Sequence, residues 1–424
     1  MTYAALLIFF ALLFLGVPIY LTLGLSSAAM FAVDGQLLPY AQKLIDELNS
    51  VTLLAVPYFV IAATFMERGG VARALIDAAD AWVGRFRGGL GLVSVVSCTI
   101  FAAMCGSSVA TAIAMGTILV PAMLRGGYSQ RFAAGVVGAS GTLGILIPPS
   151  LAFVVYGVLA DLSVPRLFLA GVVPGLLQAS LIAAYVIWFS RRAGYATAQP
   201  APADVVIRKT WVAIPALLIP VIVLGGLYGG FVTLTESAAL SAVVAIFLSL
   251  FVYKGIRPRE ILSVMSHSVR NAAVIMIIIA VALGFGHWVT ETGITSGAVQ
   301  IVKDSGIEPW QFLLAMNGLL FVLGMFLEVY SVMLLIVPIV VPMLEPLGID
   351  PIHFGVVMVI NMELALLTPP VGLNLFVVAN ISKTPLADVI KGTTPLILLM
   401  IGLLMLITYV PAISLWFPGL LMGQ

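Results

Sequence analysis

Three carboxylates stand in otherwise apolar sequence: Glu236, Glu328 and Glu363. An ionisable side chain at membrane depth is costly, so each marks a functional site or a firm structural reason. Glu236 closes TLTE (233–236), the Ser/Thr-x-x-Glu spacing of a capping box, and is read with Thr233 as the cap of the following helix. Glu328 falls in a polar tip between two short apolar runs, where a site role and a structural role both fit. Glu363 precedes Pro369–Pro370 and is open between a cation partner and a protonated structural group. Two Pro-Pro pairs lie mid-way along long apolar stretches, GTLGILIPPS (141–150) and MELALLTPPVGLN (362–374). Proline removes a backbone donor and clashes with the preceding turn, so each pair should unwind its helix. Carbonyls freed at membrane depth are tolerated only where protein or a polar cavity satisfies them. Ser107 and Ser108 sit in the tip CGSS (105–108). A hard cation such as sodium takes oxygen ligands, and hydroxyls with freed carbonyls supply them without a full buried charge. Each tip facing its Pro-Pro break is therefore a candidate cation site. Plain glycine–serine turn chemistry is the alternative.

Other chemistry finds few residues. The three histidines are scattered, and His287 and His353 lie near helix ends, as interfacial residues do. Cys98 and Cys105 both lie in apolar sequence and imply no disulfide framework. No glycine–lysine pair occurs, so a Walker A loop is absent.

The elements that must position these residues follow from composition. Of 424 residues, 62% are hydrophobic and 9% charged, against ~25% charged in soluble domains. Nineteen basic and 18 acidic side chains cannot solvate a soluble surface of this size, and the mean hydropathy is +1.19. A soluble enzyme, a nucleic-acid binder and a disordered scaffold are excluded; the net charge of +1 offers no polyanion surface. The fold class is an all-α polytopic membrane protein. The N-terminus has no basic n-region and its apolar stretch outruns an h-region, so no cleaved signal peptide is expected. As one helix, residues 3–33 would span ~46 Å, long for one crossing and short for two; that choice, and with it the side of the N-terminus, stays open.

A span needs about 20 apolar residues, and several stretches are shorter. Segments 90–124 and 310–344 each hold two short apolar runs joined by a polar tip, the pattern of re-entrant helical hairpins. Segments 132–160 and 354–381 are the two Pro-Pro-broken helices. Charge sorts the loops. Segments 67–87, 125–131, 191–209 and 254–270 are net basic and belong in the cytoplasm, while 34–47, 291–308 and 345–350 are net acidic and belong outside. The first hairpin thus enters and leaves at the cytoplasmic face and the second at the outer face, so the two oppose each other. Trp82 and the alternating charges of 67–87 predict an amphipathic helix along the cytoplasmic interface.

One offset of 221 residues superposes Val120 on Val341, Pro121 on Pro342, Gly127 on Gly348, Pro148–Pro149 on Pro369–Pro370, and Gly171 and Pro174 on Gly392 and Pro395. Matching loops carry opposite charge, Arg125 and Arg131 against Glu345 and Asp350. This is an inverted-topology repeat, typical of secondary transporters. It divides the chain into 1–210 and 211–424, with hairpins and broken helices forming a transport domain and the remainder a scaffold.

At these motifs the sequence resembles the large membrane subunit of the tripartite ATP-independent periplasmic (TRAP) transporters. The carriers are FAAMCGSSVAT, GTLGILIPPS, GGLYGGFVTLTESAA, GMFLEV, GIDPIHFGVVMVINME, TPPVGLNLFV and TYVPAISLWFP, spread over essentially the whole chain. The NME…PPVGLNLFV and TYVPAISL stretches most resemble the C4-dicarboxylate branch. The resemblance implies a non-enzymatic, sodium-driven elevator importing a C4-dicarboxylate or related carboxylate or sulfonate across the bacterial inner membrane. It implies a small four-helix membrane subunit and a periplasmic binding protein as partners, with lipid around them and no nucleic acid. By the family pattern, one sodium sits among Ser107, Ser108 and carbonyls near Gly144, Ile147 and Pro149. The symmetric sodium uses Ala365, Thr368 and Pro370. Ser108, Ser150, Glu328 and Asn374 are read as substrate contacts. Family members commonly carry glycine where Ala365 stands and serine where Cys105 stands. The rival class is an ion-coupled antiporter or exporter of organic anions that works without a binding protein; a channel is a third.

Overall fold

The computed structural model describes residues 11–12, 15–33, 35–195, 199–293, 296–297, 299–300, 304 and 306–423. Among these, every regular element is helical, and eight helices are long and apolar enough to cross a bilayer. Within the apolar stretch 3–33, residues 3–10 and 13–14 lie outside the described residues. The rest turns at Gly16 (φ +76) before the helix Ile19–Val33, so the stretch is not one continuous helix.

Both hairpins form where two apolar runs meet a polar tip. The first pairs Gly89–Cys105 with Ser108–Arg125 and turns at 106–107; the second pairs Pro309–Phe326 with Val329–Leu344 and turns at 327–328. Ser107 and Glu328 each hold the N-cap of the trailing arm, in the repeat register the sequence predicts. Both long apolar stretches break at their prolines. The first runs Gln130–Thr142, tightens to a 3-10 turn at Leu143–Ile145, unwinds, and restarts as Leu151–Leu159. The second runs Pro351–Leu366 and restarts as Leu373–Ser382. Both Pro-Pro bonds are cis. The helix starts are marked by polar caps: Ser129, Ser150 and Ser163 accept from the N–H three residues on, and Asp350 accepts from Ile352 and His353.

Helices in lipid gain little from apolar burial against one another, so close packing and interhelical hydrogen bonds hold them. The repeats accordingly interlock through small residues. The trailing arm of the first hairpin packs on Leu373–Ser382, and that of the second on Leu151–Leu159. Gln130–Thr142 crosses Leu386–Tyr409 with Gly135 and Gly392 backbone to backbone. Gly355 lies under the Tyr156 ring, whose hydroxyl donates to the Pro351 carbonyl at 2.6 Å. Each broken helix is therefore packed by elements of the other repeat.

Around this body, Ala55–Arg68 packs on Leu234–Phe247 and on Ile261–Glu291, and Val71–Val83 lies against Ala203–Pro220. Trp82 on Val71–Val83 is 57% exposed, with its Nε1 donating to Thr210 Oγ1 at 2.9 Å, which suits a helix at the interface. Residues 203–228 leave most of their apolar surface outward, Trp211 and Val221 among them.

Candidate functional site

The first tip rests directly on the first break. Gly106 turns with φ +63, a left-handed conformation that glycine adopts without steric cost. A Cβ added there would stand 2.8 Å from the Pro149 carbonyl oxygen. One added to Gly144 would stand 2.5 Å from the Ser107 carbonyl oxygen and 2.8 Å from Thr111 Oγ1. Two glycines, one on each side, let tip and break meet backbone to backbone. Ser107, Gly144 and Pro149 are thus together. Ile147 lies on the same unwound stretch, with its side chain turned onto Gly175.

The oxygens at this contact suit a hard cation. Leu146, Ile147, Pro148 and Pro149 are all buried, and among the described residues none of their carbonyls accepts a hydrogen bond. A buried carbonyl without a donor is unfavourable, and a cation between the tip and the unwound stretch would satisfy several at once. The Ser107 carbonyl already accepts from Thr111 N and from Thr111 Oγ1 at 2.7 Å. Its hydroxyl accepts only a long 3.4 Å bond from Ala110 N and is the tip's available oxygen. Ser108 is engaged otherwise: Asn374 Nδ2 donates to its hydroxyl at 2.5 Å, both residues being buried. Ser108 and Asn374 are therefore brought together, but across the repeats. Ser150 is a helix cap. Its hydroxyl donates to the Ile145 carbonyl and accepts from Phe153 N, and the central cavity passes from Pro149 to Leu151 without it.

The second break is more open. Ala365 and Thr368 share the last turn before it: Thr368 N donates to the Ala365 carbonyl at 3.1 Å, and Thr368 Oγ1 to the Leu364 carbonyl at 2.7 Å. Pro369 and Pro370 are exposed. The second hairpin packs on this helix through Gly324, where an added Cβ would stand 2.5 Å from Ala365 Cβ. Ala365 occupies the repeat position of Gly144, and its methyl is accommodated because a glycine stands opposite. Glu328, from the second tip, faces the central cavity instead.

That cavity, of about 310 Å³, lies where both tips and the first break meet Ala55–Arg68 and Ile261–Glu291. Its polar lining is Thr64, Glu67, Ser107, Asn271, Glu328 and Tyr330, and among the described residues no lysine or arginine lines it. The size suits a small organic molecule. Neither of the two carboxylates forms an ion pair among the described residues, and Arg68, which acts on Glu67, does not line the cavity, so an anion there is favoured beside bound cations. Sequence reasoning missed Thr64, Glu67, Asn271 and Tyr330. Glu67 and Asn271 sit where a charged segment adjoins an apolar run, which was the available signal.

The remaining polar candidates separate cleanly. Glu236 and Thr233 form both bonds of the capping box, Thr233 N to Glu236 Oε2 at 2.8 Å and Glu236 N to Thr233 Oγ1 at 3.3 Å. Glu363 is fully buried; Gln178 Nε2 donates to its Oε2 at 2.5 Å, and its Oε1 has no partner. His287 lies between Lys43 and Glu291. His353 corrects the interfacial expectation. It is 1% exposed, with Nε2 3.2 Å from the Thr408 carbonyl and Nδ1 3.4 Å from Ser414 Oγ, because C-terminal helices cover this helix start.

Comparison with known proteins places this geometry. A family model described as "Tripartite ATP-independent periplasmic transporter, DctM component" matches residues 6–413. The C4-dicarboxylate TRAP transporter large permease protein DctM of Pseudomonas aeruginosa is 44% identical over 94% of each chain. The isethionate TRAP transporter permease protein DctMQ of Oleidesulfovibrio alaskensis is 37% identical, over 97% of this chain and 65% of its own length. In architecture the chain is similar to the solved YdaH transporter of Alcanivorax borkumensis, with a TM-score of 0.63 at 13% identity, covering 91% of this chain and 90% of that one.

Proposed function

From the premise that the chain belongs to the tripartite ATP-independent periplasmic transporters as their DctM component, we propose that it imports a small organic acid by sodium symport. The observation that carries the reading is the run of buried, donor-free carbonyls at 146–149 against the first hairpin tip. One sodium is held there by the Ser107 hydroxyl and carbonyls of 144–149, and a second by oxygens around Ala365, Thr368 and Pro370. The substrate occupies the adjoining cavity beside Glu328. Its negative charge is balanced by those cations, since the cavity's own charged side chains are acidic.

The name of the Pseudomonas relative supports a C4-dicarboxylate as first choice, and the isethionate relative extends the class to sulfonates. A periplasmic binding protein delivers the substrate and a small four-helix membrane subunit braces the scaffold in the bacterial inner membrane. The hairpins and broken helices of the repeats 1–210 and 211–424 form the body that moves, as an elevator, against the remainder. A sodium titration of the purified membrane complex tests the cation sites. A ligand that binds only the folded state raises its stability with concentration. Sodium should therefore raise the melting temperature where potassium at equal ionic strength does not; equal shifts with both salts would count against the sites.

A further inference from the structure

Gln178 lies midway along Val164–Ala193 and is completely buried. Its Nε2 donates to Glu363 Oε2 at 2.5 Å and reaches Thr142 Oγ1 at 3.4 Å. Thr142 ends the α-helix that tightens to a 3-10 turn at Leu143–Ile145 and then unwinds; Glu363 stands in the last turn of the helix Pro351–Leu366, just before the second break. One amide thus ties together the ends of both broken helices, each immediately before its candidate cation site. A second bond also joins the repeats, from Asn374 in the first turn after the second break to Ser108 at the first hairpin tip. We infer that Gln178 is a positioning residue that couples the two cation sites, so that occupation of one raises the affinity of the other. This rests on the cation reading proposed above.

The physical argument is one of shared order. A cation drawing the carbonyls of 144–149 inward sets the end of Gln130–Thr142, and with it Thr142. Through Gln178 the same displacement reaches Glu363 and the helix turn bearing Ala365 and Thr368. An interior hydrogen bond resists separation of its partners, because breaking it leaves buried polar groups unsatisfied. Here the stakes are raised, since Glu363 Oε1 and Gln178 Oε1 already lack partners and loss of the remaining bond would strand the carboxyl entirely. Packing alone could join these helices, but it would not require a donor at position 178. A coupling of the usual size changes affinity about five- to 150-fold and is reciprocal between the sites.

The test is the sodium dependence of organic-acid uptake by the complete membrane complex in proteoliposomes, with its binding protein present. Wild type, Gln178→Leu and the exchange Gln178→Glu with Glu363→Gln are compared at matched incorporation. Leucine keeps volume and removes the donor; the exchange rebuilds the bond to position 363 with donor and acceptor reversed, and the link to Thr142 is remade when its hydroxyl proton turns from the Ala139 carbonyl to the new carboxylate. The inference predicts a Hill coefficient near two in wild type, falling toward one in Gln178→Leu with a half-saturation raised about five-fold or more, and restored cooperativity in the exchange. Gln178→Leu that lowers uptake at every sodium concentration, with Hill coefficient and half-saturation unchanged, overturns it and leaves Gln178 a packing residue. A folded exchange variant that stays non-cooperative overturns it as well. A wild type that depends on sodium with a Hill coefficient of one removes the coupling and leaves the cation sites standing, whereas a wild type indifferent to sodium removes both.

Discussion

Replacing Gly144 by alanine puts the smallest possible obstacle between the first tip and the first break. The added Cβ would lie 2.5 Å from the Ser107 carbonyl oxygen, 2.7 Å from its carbon and 2.8 Å from Thr111 Oγ1. Ordinary contact begins near 3.4 Å, so tip and break must part by about 0.9 Å, and the obstacle is backbone that no rotamer change can move. Overpacking of this kind costs about 1–3 kcal/mol. If that cost falls on the cation-bound arrangement, sodium affinity drops roughly five- to 150-fold. The second repeat supplies the control. Gly324→Ala meets the methyl of Ala365, a side-chain obstacle, so Gly324→Ala alone should impair transport and Gly324→Ala with Ala365→Gly should recover it. No such single truncation rescues Gly144→Ala. The assay is uptake rate against sodium concentration at matched membrane expression. An unchanged half-saturation in Gly144→Ala would refute the argument that this backbone contact shapes a cation site.

Thr368→Val keeps the branched shape and removes the hydroxyl that bonds the Leu364 carbonyl; a loss of ~1–3 kcal/mol should raise the sodium half-saturation about five-fold or more, measurable in the same uptake assay. Ser108→Ala strands the buried Asn374 amide, so it should lower the melting temperature, and an unchanged melting curve would mean that bond is dispensable. Glu328→Gln preserves shape while removing a cavity charge; transport at saturating sodium should fall, and wild-type rates would take Glu328 out of the site. Thr233→Ala removes the cap of Leu234–Phe247, and should slightly lower thermal stability while sodium half-saturation stays fixed.

Much of the fold was legible because the bilayer imposes strict rules on sequence. Pro148–Pro149 and Pro369–Pro370 kink or unwind a helix, and each helix breaks shortly before its pair. The tips were legible because CGSS and the residues around Glu328 put polar residues between paired apolar runs, although the helices Ser108–Arg125, Pro309–Phe326 and Val329–Leu347 are long and apolar enough to cross a bilayer by themselves. What the sequence could not disclose were contacts made by residues far apart in the chain. Ser108 looked like a free ligand but is met by Asn374, 266 residues away. Ser150 also caps the restarted helix, its hydroxyl donating to the Ile145 carbonyl and accepting from Phe153 N, a role its place after Pro148–Pro149 did not announce. Gln178 carries no motif, and its importance lies in which two helix ends it touches. His353 reads as interfacial from its place at a helix start, yet the helices Leu386–Tyr409 and Ala412–Met422 enclose it.

The central claim is that organic-acid import is driven by sodium held at the hairpin tips and helix breaks. It is tested most directly by reconstituting this chain with its small membrane subunit in proteoliposomes, adding the substrate-loaded binding protein outside, and following labelled C4-dicarboxylate uptake with and without an inward sodium gradient. The account predicts accumulation above the equilibrium level only when both gradient and binding protein are present, and its loss when sodium is equalised across the membrane. Equal accumulation with the sodium gradient abolished, or with the binding protein omitted, would contradict it.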